Sequence, residues 1–303
     1  MAGTTAPIIF ILEPFGGSLR RHNASLPSLF WDDAAVTRGD GIFETLLVRR
    51  GRVCNEERHA RRFEASAREL GLPAPDLDYW RGATREALAA WVAERGEDAE
   101  GKCVWTYTHG RASTGYPSAW LTITEIGPEQ REQREHGVRV LTLPRGFTVD
   151  EQAREWMATG AKTLNYAAAM SALRYARARG CDDVIYTHGA GEQARVLEGV
   201  TSTVIAVKKN GKMRTPTPGG TVLHGTTQAA LFDAAQAAGW RCKAKDLTVA
   251  DLLAAESVWL VSSVRLAARV TSLNGEKLPA PANEAEIREL IEKAVAGINP
   301  PRG

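Results

Sequence analysis

The segment ATGAKTLNYAAAM, residues 158–170, places a single lysine in a run of small and apolar residues. Lys162 is followed by Asn165 and Tyr166 at the i+3 and i+4 positions, and an alanine-rich stretch comes next. A buried ammonium group costs free energy unless it is paired, reaches solvent or takes part in chemistry. Lys162 is therefore either a side chain whose amine reaches solvent at a strand end or an amine that reacts with a carbonyl group.

Composition and charge limit the classes of protein to which the chain can belong. Of its residues, 44% are hydrophobic and 24% are charged, which is typical of globular proteins. Its length of 303 residues predicts one large domain or two smaller ones. A formal net charge of +2 predicts neither nucleic acid nor an anionic membrane as a partner. The sequence has no signal-peptide pattern and no apolar run of the ~20 residues that span a bilayer. We therefore expect a cytoplasmic protein.

Cysteine and histidine spacing gives no sign of a metal. The four cysteines are far apart and form no CxxC pair, which predicts reduced thiols. No group of histidines and carboxylates has metal-ligand spacing, so no metal site is expected.

Strands and helices are mixed along the first part of the chain. Residues 41–55 are predicted to form two strands joined at Arg50-Gly51, because this dipeptide favours a hairpin turn. Helical spacing of apolar and small residues, with Gly71 at the end, predicts a helix over 56–72, and 75–96 is predicted to be a second helix.

A polar stretch divides the chain into two predicted domains. Residues 127–137 have no apolar anchors and are predicted to be a linker. It separates a smaller N-terminal α/β domain, residues 1–126, from a larger C-terminal mixed-sheet domain, residues 138–303. Within the larger domain, Asn210-Gly211 predicts another hairpin. The fold class is therefore α+β.

Three features of the chain match what a lysine bound to pyridoxal phosphate requires: a carboxylate for the ring nitrogen, a site for the phosphate and a donor for the phenolic oxygen. Glu198 precedes a turn of small residues that enters a strand. Thr226 and Thr227 lie where a loop meets a helix, so they form either a phosphate site or an ordinary helix cap. Tyr166 is either the donor to the phenolic oxygen or a packed core tyrosine.

Together these motifs resemble the fold-type IV pyridoxal-phosphate enzymes. That family includes branched-chain and D-amino-acid aminotransferases and 4-amino-4-deoxychorismate lyase. The resemblance covers most of the chain, and its motifs occur in the family's order. The motifs are Gly39 to Thr45, then His59, Arg62 and Ser66, then Lys162, Asn165 and Tyr166, then Glu198-Gly199, Thr215-Pro216, and Leu223, Gly225 and Thr227.

The resemblance implies a two-domain fold like that of D-amino-acid aminotransferase, with pyridoxal 5′-phosphate as cofactor. Lys162 is then the catalytic lysine, which binds the cofactor covalently and acts as general base. The other implied cofactor-binding residues are Arg62, Thr226, Thr227 and Ser263 at the phosphate, Glu198 at the pyridine nitrogen and Tyr166 at the phenolic oxygen. Substrate-binding candidates are Tyr107, Arg111, Val264 and Arg265. The family also implies a homodimer with its site between the domains.

The chain departs from the family pattern at two positions. An arginine is common in the family where Gln228 follows the phosphate motif, and an asparagine is common where this chain has Thr203. Neither change removes a residue to which a catalytic role is assigned.

The sequence favours one of two reactions on small-molecule substrates. The Lys-x-x-Asn spacing from Lys162 to Asn165 is that of the lyases and D-amino-acid transaminases, and the longer motif blocks resemble actinobacterial 4-amino-4-deoxychorismate lyases. Arg111 and Arg265 are either cationic partners for a substrate with two carboxylates or surface charges. The expected activity is therefore the lyase, which gives 4-aminobenzoate and pyruvate as a step toward folate. The alternative is a D-amino-acid or branched-chain-type aminotransferase, possible as a second activity. A non-catalytic binding protein is disfavoured because Lys162 and Glu198 are both intact.

Overall fold

A computed structural model describes residues 6–13, 17–146, 160–220 and 222–296 of the chain. The chain divides into two compact units. Unit 1 comprises Met1–Gly127 together with Ala161–Tyr166, and unit 2 comprises Pro128–Gly160 together with Ala167–Gly303. Each unit has its own sheet and its own helices, so the predicted α+β fold class is confirmed.

Unit 1 is an antiparallel sheet with helices. Its strands are β1 Ile8–Leu12, β2 Leu19–Arg21, β3 Gly41–Arg49, β4 Arg52–Val53, β5 Gly101–Thr108 and β6 Ser118–Glu125. Its helices are α1 Ala34–Thr37, α2 Glu56–Glu69 and α3 Leu77–Arg95. The strands are ordered β2-β1-β6-β5-β3-β4, and every neighbouring pair is antiparallel.

Aromatic side chains of α2, α3 and β5 form the centre of the unit 1 core. Phe63 of α2 packs edge-on against Trp80 of α3 and Trp105 of β5, with ring centroids 4.9 and 5.5 Å apart. The indole N–H of Trp105 donates to the hydroxyl of Thr84 at 2.9 Å, so the polar atom of this buried ring is satisfied. Large apolar rings at helical and strand periodicity thus attach α2 and α3 to one face of the sheet.

Unit 2 is a mixed nine-stranded sheet with helices. Its strands are β7 Val138–Pro144, β8 Asp183–His188, β9 Arg195–Gly199, β10 Thr203–Lys208, β11 Lys212–Thr215, β12 Arg241–Ala244, β13 Ser257–Ser262, β14 Leu266–Leu273 and β15 Glu276–Lys277. Its helices are α4 Pro128–His136, α5 Ala167–Arg177, α6 Thr226–Ala237, α7 Val249–Leu253 and α8 Glu284–Ala296. The main strand order is β12-β11-β10-β13-β14-β7-β8-β9, and β15 pairs with β14.

Both predicted hairpins are present. Arg50 and Gly51, between β3 and β4, have φ values of +51° and +63°. Asn210 and Gly211, between β10 and β11, have φ values of +63° and +61°. Consecutive left-handed residues are what the tightest hairpin turns need, which explains why these dipeptides predict them well.

The predicted linker at 127–137 is instead mostly helical. Helix α4 has no buried residue, which is why the sequence shows no apolar anchor there. Two arginines attach α4 to the rest of unit 2. Arg134 donates to the carbonyl of Val264 at 3.2 Å, and Arg288 donates to the carbonyl of Arg134 at 2.6 Å. After the helix, Gly137 has a φ of +80°, and a Cβ there would lie 2.3 Å from the carbonyl oxygen of Arg269. A glycine is therefore needed where the chain turns into β7.

The segment that carries Lys162 also differs from the predicted domain division. Residues 161–166 belong to unit 1, although the prediction placed them in the larger domain. They return to the sheet because they pair with the first residues of β3, a long-range contact that local pattern cannot reveal.

Among the helices of the described ranges, none is long and apolar enough to cross a membrane.

Candidate active site

Lys162 lies on a short extended segment at the edge of the unit 1 sheet. The amide of Phe43 donates to the carbonyl of Lys162 at 3.0 Å, and the amide of Leu164 donates to the carbonyl of Gly41 at 2.9 Å. A Cβ on Gly41 would lie 2.8 Å from the carbonyl oxygen of Tyr107 and 2.9 Å from a methyl of Leu164. Glycine at position 41 therefore permits this close approach, which gives a physical reason for Gly41 within the motif Gly39 to Thr45.

The amine of Lys162 is held by aromatic groups. Its Nζ lies 4.3 Å from the ring centroid of Phe43 and donates to the hydroxyl of Tyr166 at 3.2 Å. The Tyr166 ring meets Phe43 edge-on, with centroids 5.3 Å apart. The backbone amide of Lys162 donates to the buried hydroxyl of Ser66 at 3.1 Å.

The charge of Lys162 is not neutralised within the described part of the chain. None of the residues described there places a carboxylate within ion-pair distance of Nζ. A half-buried amine without a counterion matches the reactive alternative better than a structural ion pair.

Glu44, His59 and Arg62 form a buried polar cluster in unit 1. Arg62 donates to both carboxylate oxygens of Glu44, Nε at 2.6 Å and Nη2 at 2.8 Å. Nδ1 of His59 lies 2.6 Å from Oε2 of the same carboxylate. Positions 59 and 62 share one face of α2, and Glu44 is on the facing strand β3. His59 and Arg62 therefore share one acceptor, the buried carboxylate of Glu44.

The charges in this cluster are fixed by their pairing. Burial alone would raise the pKa of Glu44, but the Arg62 guanidinium and His59 hold it well below its ordinary value. Burial lowers the pKa of His59, although the Glu44 carboxylate opposes the shift. Glu44 is therefore an anion that fixes the guanidinium plane of Arg62, the predicted phosphate ligand.

Glu198 lies at the end of β9 in unit 2, and each of its carboxylate oxygens has a partner. Oε1 accepts from Nη2 of Arg145 at 2.6 Å, and Oε2 accepts from the backbone amide of Leu223 at 3.0 Å. The guanidinium of Arg145 also lies 4.9 Å from the ring centroid of Tyr186. Sequence reasoning missed Arg145, because the only local signal is a basic residue just after β7.

The N-terminus of α6 has the chemistry of an anion site. Gly225 is the N-cap residue and, as a glycine, makes no side-chain cap hydrogen bond, while Thr226 and Thr227 are buried in the first turn. The hydroxyls of Thr227 and Ser263 are 3.5 Å apart. A Cβ on Gly225 would lie 2.3 Å from the hydroxyl of Thr203, so the backbone is close-packed here. Backbone amides, hydroxyls and the helix dipole suit a phosphate.

The four predicted substrate-binding residues have other partners in the structure. Arg111 pairs with Asp32 at 3.0 Å and stacks on Phe30. The carbonyl of Val264 accepts from Arg134. The ring of Tyr107 is buried in the aromatic core of unit 1, and Arg265 is buried in an ion pair with Asp183.

The substrate-binding roles of all four residues stay predictions.

Metal-ligating side chains do not gather in the described ranges. No group of three or more histidine, cysteine, aspartate or glutamate residues there has the geometry to hold a metal ion.

The match to a known protein family covers the residues of the candidate site. The profile of the family described as amino-transferase class IV matches residues 41–273, which include β3, Lys162, Glu198 and the start of α6. The chain belongs to the class IV aminotransferase family. The family resemblance seen in the sequence is therefore confirmed.

Relatives of this class IV family member cover nearly the whole chain. It is 41% identical over 277 residues to the bifunctional aminodeoxychorismate lyase / D-amino acid transaminase of Mycobacterium tuberculosis, covering 89% of this chain and 94% of the relative. A solved hypothetical aminotransferase from M. tuberculosis, in its PLP-bound form, is 39% identical with a TM-score of 0.90 and covers 96% of this chain and 100% of that one. A fold IV transaminase of Curtobacterium pusillum is 35% identical with a TM-score of 0.87, covering 96% and 98% of the two chains. The predicted fold-type IV architecture is confirmed.

Proposed function

We propose that this protein is a pyridoxal-phosphate-dependent lyase that converts 4-amino-4-deoxychorismate into 4-aminobenzoate and pyruvate, a step toward folate. Membership of the class IV aminotransferase family already makes it an aminotransferase or a lyase of that family. The observation that carries the finer proposal is the relative with 41% identity, whose name includes aminodeoxychorismate lyase and which matches along 94% of its length.

The cofactor is pyridoxal 5′-phosphate. A solved structure that is 39% identical over 96% of this chain contains it, and this chain has a donor set that fits it. The start of α6, with Gly225 at the N-cap and with buried Thr226 and Thr227, suits a phosphate. When bound, pyridoxal phosphate supplies an electron sink that stabilises negative charge at the substrate Cα.

In unit 1 we assign the covalent and proton-transfer roles to Lys162. Its amine is half-buried, has no carboxylate partner among the described residues and lies 3.2 Å from the Tyr166 hydroxyl. The amine of Lys162, when not bound to the cofactor, would act as general base for the substrate Cα proton. Tyr166 holds the amine in place and is assigned to the phenolic oxygen of the cofactor. Arg62, fixed by Glu44, is assigned to the phosphate.

In unit 2 we assign Glu198 to the pyridine nitrogen and Thr226, Thr227 and Ser263 to the phosphate. Arg145 and the amide of Leu223 both donate to the Glu198 carboxylate, so they hold it in place to accept a hydrogen bond from a pyridinium N–H.

Substrate chemistry distinguishes the lyase from the transaminase. In the lyase reaction, loss of the Cα proton is followed by cleavage of the bond to the enolpyruvyl oxygen, and the ring becomes aromatic. Aromatisation drives the step, so no acceptor keto acid is required. In transamination the substrate's amino group would pass to a keto acid, so turnover requires that acceptor.

The test is to supply purified holoenzyme with 4-amino-4-deoxychorismate and no keto acid. We expect equal amounts of 4-aminobenzoate and pyruvate, measured by liquid chromatography and a coupled lactate dehydrogenase assay. Lys162→Ala should form neither product. Strict dependence of turnover on added 2-oxoglutarate would refute the lyase proposal and favour transamination.

D-amino-acid transamination is the second candidate, because the same relative's name includes D-amino acid transaminase. Incubation with D-alanine and 2-oxoglutarate should then give pyruvate and glutamate, while L-alanine serves as the stereochemical control. Pyruvate from neither amino acid would exclude this second activity for alanine.

We also propose that the protein is a homodimer, as the family resemblance implies. Size-exclusion chromatography with light scattering would measure the mass directly, and a mass near the 32.9 kDa of one chain would contradict it.

A further inference from the structure

The turn of residues 263–265 joins β13 to β14 and carries Ser263. The strands flanking it are closely paired, with Ser262 opposite Leu266. Across from the turn, the hydroxyl of Ser263 lies 3.5 Å from that of Thr227 in the first turn of α6. The position of the 263–265 turn therefore sets the distance between two of the hydroxyls assigned to the phosphate.

The backbone that follows this turn is strained. Leu266 has a φ of +62°, in the left-handed region that bulky residues rarely adopt. Such a residue persists only when the surrounding structure determines its conformation.

Arg265 provides the first tether. Its side chain is 7% exposed, and Nη1 donates to Oδ2 of Asp183 at 2.6 Å and to Oε1 of Gln133 at 3.2 Å. Nε and Nη2 of Arg265 are buried and have no hydrogen-bond partner among the described residues. The hold on Arg265 thus depends on Nη1, chiefly on its bond to Asp183.

Asp183 is itself firmly placed. It is 2% exposed on β8, and its Oδ1 accepts from the backbone amide of Val184 at 2.7 Å. A charge-assisted bond between two buried groups is short and directional, so it fixes the Arg265 end of the turn relative to β8.

Arg134 provides the second tether. From α4 it donates to the carbonyl of Val264 at 3.2 Å, and its own carbonyl accepts from Arg288 of α8 at 2.6 Å. Two elements other than β13 and β14 therefore hold the 263–265 turn.

We infer that Asp183 and Arg265 are positioning residues: their ion pair fixes the 263–265 turn so that the Ser263 hydroxyl meets the cofactor's phosphate. The inference rests on the proposed assignment of Ser263 and Thr227 to the phosphate. It also gives Arg265 a role that agrees with its burial, in place of the predicted contact with substrate.

The test compares two ligands of the apoprotein, pyridoxal phosphate and pyridoxal, which lacks the phosphate. In Asp183→Asn the dissociation constant for pyridoxal phosphate should rise roughly tenfold or more, because a charge-assisted tether is lost. The dissociation constant for pyridoxal should change less than about twofold, since pyridoxal does not use the turn. Absorbance titration measures both, and the 31P NMR shift of the bound phosphate should also move.

Asp182→Asn is the matched control. Asp182 is the neighbouring residue and pairs with Arg139 at 3.0 Å, but Arg139 is more than half exposed and lies outside the 263–265 turn. This variant should keep both dissociation constants. If Asp183→Asn does not fold, the double variant Asp183→Leu/Arg265→Met removes both buried charges together and should show the same selective loss. Arg134→Gln should show a smaller loss in the same direction.

The outcomes separate the inference from the function on which it rests. The positioning role is overturned if the Asp183 and double variants weaken the binding of pyridoxal phosphate and pyridoxal equally, or if they weaken the binding of neither. If the Asp183 and double variants raised the KM for substrate but left the ratio of the two dissociation constants unchanged, Arg265 would be assigned to substrate binding instead. Wild-type apoprotein that binds pyridoxal phosphate no better than pyridoxal would instead contradict the phosphate site itself.

Discussion

Lys162 keeps its amine against the face of Phe43 and the hydroxyl of Tyr166, and the described residues bring no carboxylate to it. A cation–π contact and one hydrogen bond hold an ammonium group less strongly than a buried ion pair does. The amine is therefore positioned without being tied to a counterion, which suits a group that must leave one partner and move a proton.

Replacing Lys162 tests whether its amine is the proposed nucleophile and base. Lys162→Ala should lower kcat about a thousandfold or more, because it removes the proposed nucleophile and base. Borohydride treatment of the wild-type protein should attach pyridoxal phosphate to the Lys162 peptide, detected by mass spectrometry. Lys208→Ala removes a half-buried lysine paired with Asp251 and should leave both readouts unchanged.

Arg145 offers a second test at the same scale. Arg145→Met removes the 2.6 Å bond to Glu198 and leaves its carboxylate with the amide of Leu223. We expect kcat to fall roughly ten- to a hundredfold, the value of one charge-assisted bond. The matched control is Arg139→Met, which breaks a pair with Asp182 elsewhere in unit 2. Equal losses in both variants would mean that Arg145 supports the fold rather than Glu198.

The buried cluster of Glu44, His59 and Arg62 predicts how stability changes with pH. Since the pKa of His59 is lowered on folding, the unfolded chain binds more protons below the ordinary histidine value of 6.5, and acid destabilises the fold from there. The pKa of Glu44 is also lowered, so its contribution is present above the ordinary value of 4.5 and is lost as pH falls further.

Urea unfolding at pH 7 and pH 5 measures the contribution of His59 to the pH dependence of stability. The wild-type free energy of unfolding should fall with acid, by at most about 1.4 kcal/mol per pH unit for one proton. His59→Gln should be less stable at pH 7 but should lose less on acidification. His136→Gln, at an exposed position, should follow the wild type. A His59→Gln slope equal to that of the wild type would contradict the shift.

At the scale of elements, the sequence predicted what depends on local pattern. The hairpins at Arg50-Gly51 and Asn210-Gly211 follow from residues that favour left-handed backbone. Helix α5, Ala167–Arg177, lies in the alanine-rich stretch that follows Tyr166. Helix α4 was missed because its attachment uses arginine side chains and backbone carbonyls instead of an apolar face.

The edge segment that carries Lys162 depends on Gly41, and this gives an element-level prediction. Gly41→Ala would place a methyl 2.8 Å from the carbonyl of Tyr107 and push Leu164 away from β3. Because the Lys162 segment must then shift, we expect kcat to fall at least about tenfold, since small misplacements of reacting groups are costly.

Gly82→Ala is the control, because a Cβ there meets only the far end of Arg85, at 3.8 Å. That change lies within α3 and should retain full activity and gain up to about 1 kcal/mol of stability from helix propensity. Thermal unfolding and steady-state kinetics on both variants decide the matter. Full activity in Gly41→Ala would show that the close approach is not needed.

The aromatic core of unit 1 predicts a large packing effect. Phe63 is fully buried against Trp80 and Trp105. Phe63→Ala should cost about 3–5 kcal/mol of unfolding free energy, through lost burial and the cavity left behind. The exposed change Leu26→Ala should cost less than about 0.5 kcal/mol. Urea denaturation would show the contrast, and similar losses for the two variants would refute it.

At the scale of the whole molecule, the motifs predicted the family and the fold correctly, because six short motifs in one order are far more specific together than any one of them alone. Which side chains pair with those residues was harder to predict. Glu44, Arg145 and Asp183 contact Arg62, Glu198 and Arg265 only through folding over long sequence separations. A single sequence carries no local signal for such pairs, so the proposed supports of the site emerged only from the structure.

The path of the chain through unit 1 limits how such a protein can be rearranged. Residues 161–166 complete the edge beside β3, yet they are encoded well after the first boundary at Gly127. A gene fusion or recombination event that joined a foreign second half at that boundary would import a lysine segment selected to pair with a different β3. The two halves of the gene are therefore expected to be inherited together and not to behave as interchangeable modules.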